Sequence, residues 1–282
     1  MKDISKRETS NFKGNEWKNK ANVLKWLYYL SVVICLFLRS VKLLAEKIQN
    51  KREYPFSIPS LRGFEQLDFY EPVTFFVGEN GSGKSTLLEA IAHQCGFNSG
   101  GGGRNNSYNF EEASPALSEY IRLSWMPKIN QGFFLRAESF FHFASYLDQL
   151  AEEDPTFNYE GYGGRSLHEQ SHGESFLSLF LNRFGDQSIY LLDEPEAALS
   201  PARQLAFLRV IHDLAKGGNA QFIIATHSPI LLGYPGAQIY NFDASPIEQI
   251  DYEETEHYQI TMGFLNRRER YLDELFRDDE EE

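Results

Sequence analysis

One stretch constrains this chain more than any other: Gly78, Glu79, Asn80, Gly81, Ser82, Gly83, Lys84, Ser85 and Thr86, which fit the pattern G-x-x-x-x-G-K-[ST]. The apolar run at 73–77 precedes it and reads as a buried strand. Apolar positions at helical spacing follow over 87–95, and Gly96 closes them. Strand, glycine loop and helix, in that order, turn backbone N–H groups and a helix N-terminus toward one point where phosphate oxygens can sit. Lys84 then reaches the β- and γ-phosphates and Ser85 ligates Mg²⁺. A glycine-rich turn with an incidental lysine would not need these flanks.

Two more strands deliver chemistry to the same place. The run 189–192 is nearly all apolar, as in a parallel strand covered on both faces, and it ends in Asp193, Glu194 and Pro195. Ligands bind at the carboxyl ends of such strands. Asp193 is therefore expected to hold the Mg²⁺ shell, commonly through water, and Glu194 to polarise the attacking water. The run 221–226 delivers His227, which is expected to contact the γ-phosphate or orient Glu194. Of the seven histidines, His93, His142, His212 and His257 take the ordinary reading of hydrogen-bonded structural residues.

With SHGES from Ser171 and AALS from Ala197, the set resembles the ABC-type P-loop ATPase superfamily, and its signature is closer to the SMC/RecF-like branch than to transporters. The resemblance implies an α/β fold of the ABC type: a mostly parallel sheet flanked by helices, with a small helical insertion. It implies ATP and Mg²⁺ as ligands. It matches Ser171 to the signature serine, Gly173 to the second glycine and Glu174 to the following acidic or amide position, while His172 departs from the pattern. In that family the signature closes over ATP held by the partner's P-loop, so an ATP-dependent homodimer is implied. Glu174 to Leu177 also open a helical pattern, so Ser171 and Gly173 would lie at a helix N-terminus, where an anion is favoured. Read alone, SHGES is equally a good helix cap. AALS matches the D-loop with Ser200 in place of aspartate. The Mg²⁺-sensing Q-loop residue is assigned to Glu138, after the strand-like run 132–137. Tyr54 and Phe56 are candidates to stack on adenine, or core residues.

From Val41 onward the chain looks like a group of compact standalone bacterial ATPases, on YPFSIPSLR from Tyr54, GFFLRAESFF from Gly132, YGGRSLHEQSHGES from Tyr162 and YEETEHYQIT from Tyr252. The expected organisation is an N-terminal extension over 1–40 and an ATPase domain over 41–282, with the insertion at about 97–165. At 282 residues and 42% hydrophobic content the chain can bury one substantial core. No sustained heptads lie between the glycine loop and SHGES, which excludes a long SMC-type arm. The glycine-rich stretch 99–106 reads as a linker, and Arg104 within it as a residue able to approach phosphate.

Charge is divided along the chain. Residues 1–50 hold ten Lys/Arg against four Asp/Glu, so the formal total of −13 leaves −19 for residues 51–282. Such a body argues against broad, nonspecific duplex binding. Nucleic acid would be reached through a local groove or a partner. The apolar run 26–38 is shorter than the roughly 17–25 residues of a spanning helix. It leaves three readings: a nonspanning extension, a membrane anchor, or an added core or partner-binding helix. The two cysteines, Cys35 and Cys95, form no motif, and a reduced cytoplasmic compartment follows. The expected activity is ATP hydrolysis coupled to an unidentified client protein, in nucleic-acid maintenance or phage defence. Two alternatives stand beside it: the ATP-binding subunit of a membrane transporter, and a nucleotide-gated switch with negligible turnover.

Overall fold

Strands without a polar face need cover on both sides, and that requirement organises the fold. The computed structural model describes residues 36–98, 102–103, 117–170, 172–183, 185 and 187–277. Its first half runs β1 (Leu38–Leu43), α1 (Pro59–Arg62), β2 (Gln66–Asp68), β3 (Val73–Val77), α2 (Lys84–Cys95), β4 (Ile121–Trp125), β5 (Gln131–Arg136) and α3 (Phe140–Glu153). The second half runs α4 (His172–Arg183), β6 (Ser188–Asp193), α5 (Pro201–Lys216), β7 (Ala220–Ala225), α6 (Pro229–Leu232), β8 (Gln238–Asn241), β9 (Glu248–Gln249), α7 (Glu256–Asn266) and α8 (Arg268–Leu275).

The central sheet has the order β5-β6-β7-β3-β8-β9, parallel throughout except for the antiparallel edge strand β9. A second sheet, β2-β1-β4, is antiparallel. The two-residue period of the strands splits the core. Val73, Phe75, Phe133, Tyr190, Leu192, Phe222 and Ile224 face one hydrophobic layer with Phe143 of α3, Phe176 of α4 and Phe207 of α5. Phe76, Phe134, Ile189, Leu191, Ile223 and Ala225 face the other, with Leu87 and Ile91 of α2 and Leu38, Val41 and Leu67 of the small sheet. The expected α/β architecture is the observed one.

Gln221 ties the two sheets together. Its buried side-chain carbonyl accepts the N–H groups of Phe37 (3.1 Å) and Leu38 (2.8 Å), and its amide donates to the Leu38 carbonyl (2.9 Å). A central strand therefore supplies the hydrogen bonds that the start of β1 lacks. This corrects two expectations. The boundary at 40/41 cuts through β1, and the compact body begins at Leu36. The last residues of the apolar run 26–38, Leu36, Phe37 and Leu38, are core rather than extension. Residues 1–35, including Cys35 and the rest of that run, lie outside the described residues, as does Arg104.

The span 97–165 is likewise not a mere insertion, because it contributes β4 to the small sheet and β5 to the edge of the central one. Among the described residues, no helix is long and apolar enough to cross a membrane.

Candidate functional site

The parallel register brings three strand ends to one edge. Phe76 of β3 lies opposite Ala225 of β7, and Asp193 of β6 lies between Ala225 and Arg136 of β5. The glycine loop leaves β3 with Gly78, Gly81 and Gly83 at φ of 146°, 80° and 100°, left-handed values that favour glycine. Space adds to this at Gly83, where a Cβ would meet Ile58 and Ser60 at 3.1 Å. The loop opens directly into α2, whose first residue is Lys84. Lys84 is buried, and its ammonium donates to the carbonyls of Gly78 (2.7 Å) and Glu79 (2.9 Å). Burial pulls it below the usual lysine range, opposed by the charges of Glu194, Asp243, Asp193 and Glu79.

The Ser85 hydroxyl donates to Asp193 across 3.0 Å. Burial pushes the Asp193 carboxyl up to about 7, while Arg136 and the Ser85 hydrogen bond pull the other way. Hydroxyl and carboxylate oxygens suit Mg²⁺, which takes few protein ligands and completes its octahedron with water and phosphate. Among the described residues no group of three or more His, Cys, Asp or Glu side chains is arranged to hold a metal, and an ion at this pair would draw the rest of its shell from phosphate oxygens and water. The Ser85–Asp193 pair fits the ion on those terms.

Glu194 follows in a left-handed conformation (φ 50°, ψ 50°), strain of about 1–3 kcal/mol that a non-glycine residue bears only where the surroundings impose it. Its backbone N–H donates to the Ala225 carbonyl (2.9 Å). Its carboxylate stands 3.6 Å from His227 Nε2. A cleft of about 420 Å³ is lined by Tyr54, Asn80, Lys84, Ser85, Thr86 and Glu194 among others. Tyr54 is 67% exposed there, its hydroxyl 3.4 Å from Thr86 Oγ1, whereas Phe56 is core and packs edge-on against Tyr120. Of the two aromatic candidates, only Tyr54 lines the cleft.

The other expected site residues divide. Gly173 is buried on α4, and a Cβ there would collide with the Arg203 guanidinium of α5. Glu174 pairs with the same arginine at 3.8 Å. Neither lines the cleft around Lys84. Ser171 lies outside the described residues. Ser200 stands at the start of α5 and makes no capping bond with its side chain. Glu138 is 76% exposed on its side chain and held by Arg136 at 3.3 Å; it is Arg136 that approaches Asp193 (3.6 Å) and pairs with Glu89 (2.8 Å).

Three residues at the site, Arg136, Asp243 and Glu196, carry no reading from the sequence, and a fourth, His257, carries only a structural one. Arg136 ends an apolar strand at the ligand edge, a signal that was available. Asp243, just beyond β8, accepts the Glu79 N–H at 2.8 Å and so holds the glycine loop. Glu196 accepts the His227 N–H at 2.6 Å, and burial raises its carboxyl above the usual range. His257 is hydrogen-bonded, as expected, and its partner is His227 Nδ1 at 2.8 Å. Local spacing does not disclose the partners of these last three.

Two family models match the chain: one described as "AAA domain" over residues 47–139, the other as "AAA domain, putative AbiEii toxin, Type IV TA system" over residues 103–233. Together they run across the glycine loop, β6 and His227. The chain is 36% identical over 90 residues to Protein ea59 of Escherichia phage lambda, 30% of this chain and 17% of that protein, so it spans far less than two thirds of this relative. Similar solved structures include the SMC head domain from Thermotoga maritima, at 17% identity and TM-score 0.40, covering 77% of this chain and 100% of that one. Another is MJ1267, an ATP-binding cassette of an ABC transporter, at 17% identity and TM-score 0.45, covering 83% and 98%.

Proposed function

We propose that this P-loop domain binds Mg·ATP in the Lys84 cleft, hydrolyses it, and does so as a homodimer with ATP between two copies. The observation that carries the reading is the convergence of Lys84, Ser85, Asp193, Glu194 and His227 on one sheet edge. Lys84, released from the Gly78 and Glu79 carbonyls, turns its ammonium to the β- and γ-phosphates. The loop N–H groups and the N-terminus of α2 bind phosphate oxygens. Ser85 and Asp193 hold Mg²⁺, which when bound neutralises charge developing on the phosphates. Glu194 takes a proton from the attacking water, and His227 orients Glu194 or the γ-phosphate. Glu138 senses the ion through Arg136.

The dimer follows from the signature. Gly173 and Glu174 sit against α5 outside their own chain's cleft, which leaves the start of α4 to close over a partner's ATP together with Ser171. The client is a protein, and nucleic acid is reached through it, because the body of the chain is acidic. The toxin–antitoxin description of the second family model and the phage relative favour phage conflict as the setting. Steady-state phosphate release from the purified full chain, with and without Mg²⁺, tests the reading. Hydrolysis that tracks protein and needs the ion supports it; binding of ATP without turnover leaves a nucleotide-gated switch.

A further inference from the structure

His227 presents its two ring nitrogens to two different partners. Nδ1 lies 2.8 Å from His257 Nε2, and Nε2 lies 3.6 Å from Glu194 Oε1 without a hydrogen bond of its own. Between two neutral imidazoles only one of the facing nitrogens carries the shared hydrogen. If His227 donated from Nδ1, its Nε2 would aim a bare lone pair at the Glu194 carboxylate, and the two would repel. If His257 donates instead, His227 keeps its hydrogen on Nε2 and offers it to Glu194 or to an incoming γ-phosphate. Burial, Lys84 and His257 all hold the His227 ring below its usual value, against Glu194 and Glu79, which favours the neutral ring in this choice.

The His257 side of the contact is fixed by a short, well-tied segment. Tyr252 donates its hydroxyl to the Pro229 carbonyl (2.9 Å), two residues beyond His227. Asp251 and Glu254 form a capping box, and the buried Thr255 caps α7 by accepting the Tyr258 N–H. His257 is thereby held at the second position of α7, next to the strand end that carries His227. We propose that His257 is a positioning residue, whose Nε2–H donates to His227 Nδ1 and locks His227 into the Nε2–H tautomer that faces Glu194. This rests on the reading of His227 as a residue of the hydrolytic site.

The test compares three variants of the full chain: His257→Phe, which keeps a ring and removes the donor; His257→Gln, whose amide nitrogen reaches the place of Nε2; and His227→Ala. In ¹⁵N-imidazole spectra, His227→Ala identifies the His227 signals by subtraction. The expected wild-type pattern is the Nε2–H tautomer, lost or mixed in His257→Phe and restored in His257→Gln. In ATP hydrolysis, kcat falls about tenfold or more in His257→Phe, as for other lost orienting partners, with KM within about twofold and recovery in His257→Gln. An Nε2–H pattern unchanged in His257→Phe, or an Nδ1–H pattern in wild type, overturns the proposal. Full activity in His227→Ala instead overturns the reading of His227 itself, and the spectra still decide the tautomer.

Discussion

The Ser85 hydroxyl reaches the Asp193 carboxylate across 3.0 Å, joining two motifs 108 residues apart at the point where a divalent ion would sit. Asp193 is almost wholly buried, so without the ion its charge is a burden to the fold. Its folded-state pKa of about 7 lies above its ordinary 3.8, so the folded chain binds the extra proton. The contribution to stability is full below about pH 4 and lost as pH rises toward about 7. Asp193→Asn removes this dependence. In Mg²⁺- and nucleotide-free protein, the variant should be more stable than wild type by roughly 1–3 kcal/mol at pH 8, with the gap closing toward pH 4. It should also lose Mg²⁺-dependent ATP binding. Urea unfolding of both proteins across pH measures this, and a gap that ignores pH rejects the burial account.

Glu194 and Lys84 separate chemistry from binding. Glu194→Gln keeps the side-chain shape and loses the base, so ATP should still bind while turnover falls by about 10²- to 10⁴-fold. Lys84→Ala should lose ATP binding itself. Equilibrium binding and steady-state hydrolysis on the same preparations distinguish the two, and equal turnover in wild type and Glu194→Gln defeats the assignment.

The Gln221 side chain predicts where the chain tolerates truncation. Removal of residues 1–35 should leave ATP affinity and unfolding midpoint nearly unchanged, since neither the nucleotide motifs nor the β1 contacts lie there. Cutting through Leu38 should destabilise the fold. Gln221→Ala should cost about 3 kcal/mol or more, because three buried bonds, to the Phe37 N–H, the Leu38 N–H and the Leu38 carbonyl, are lost at about 1–3 kcal/mol each. Denaturant midpoints test all three, and detergent-free fractionation of full and truncated chains tests the anchor reading of the N-terminal run. A full-length protein wholly in the soluble fraction rejects the anchor.

What the sequence discloses here depends on the range of the interaction. The glycine loop, β6 with Asp193 and Glu194, and β7 with His227 are legible because each is a local pattern: an apolar run whose last residue must land on the ligand edge of a parallel sheet. The same logic applies to Arg136, one residue past the run Phe133 to Leu135, whereas the sequence-based assignment falls on the carboxylate of Glu138 beyond it. Asp243 and His257 were hidden for a different reason. Each meets its partner through strand order and helix placement, across 164 and 30 residues; Asp243 sits in no pattern of its own, and the stretch from Tyr252 that holds His257 does not name its partner. The boundary at 40/41 failed because the bonds that anchor β1 come from Gln221, 183 residues away from Leu38.

The proposed dimer makes a prediction that no single variant can. If Ser171 of one copy completes the Lys84 site of the other, homodimers of Lys84→Ala and of Ser171→Arg each carry two damaged sites and are inactive. A mixed dimer collects both defects in one site and leaves the other intact. With random exchange, equal strength and independent sites, half the dimers are mixed and activity should recover to roughly a quarter of wild type. Light scattering of Glu194→Gln with saturating Mg·ATP must be read beside it, because coupling between the sites suppresses recovery while leaving assembly intact. A Glu194→Gln protein that stays monomeric under those conditions rejects the shared site for the isolated chain, whatever the mixing experiment returns.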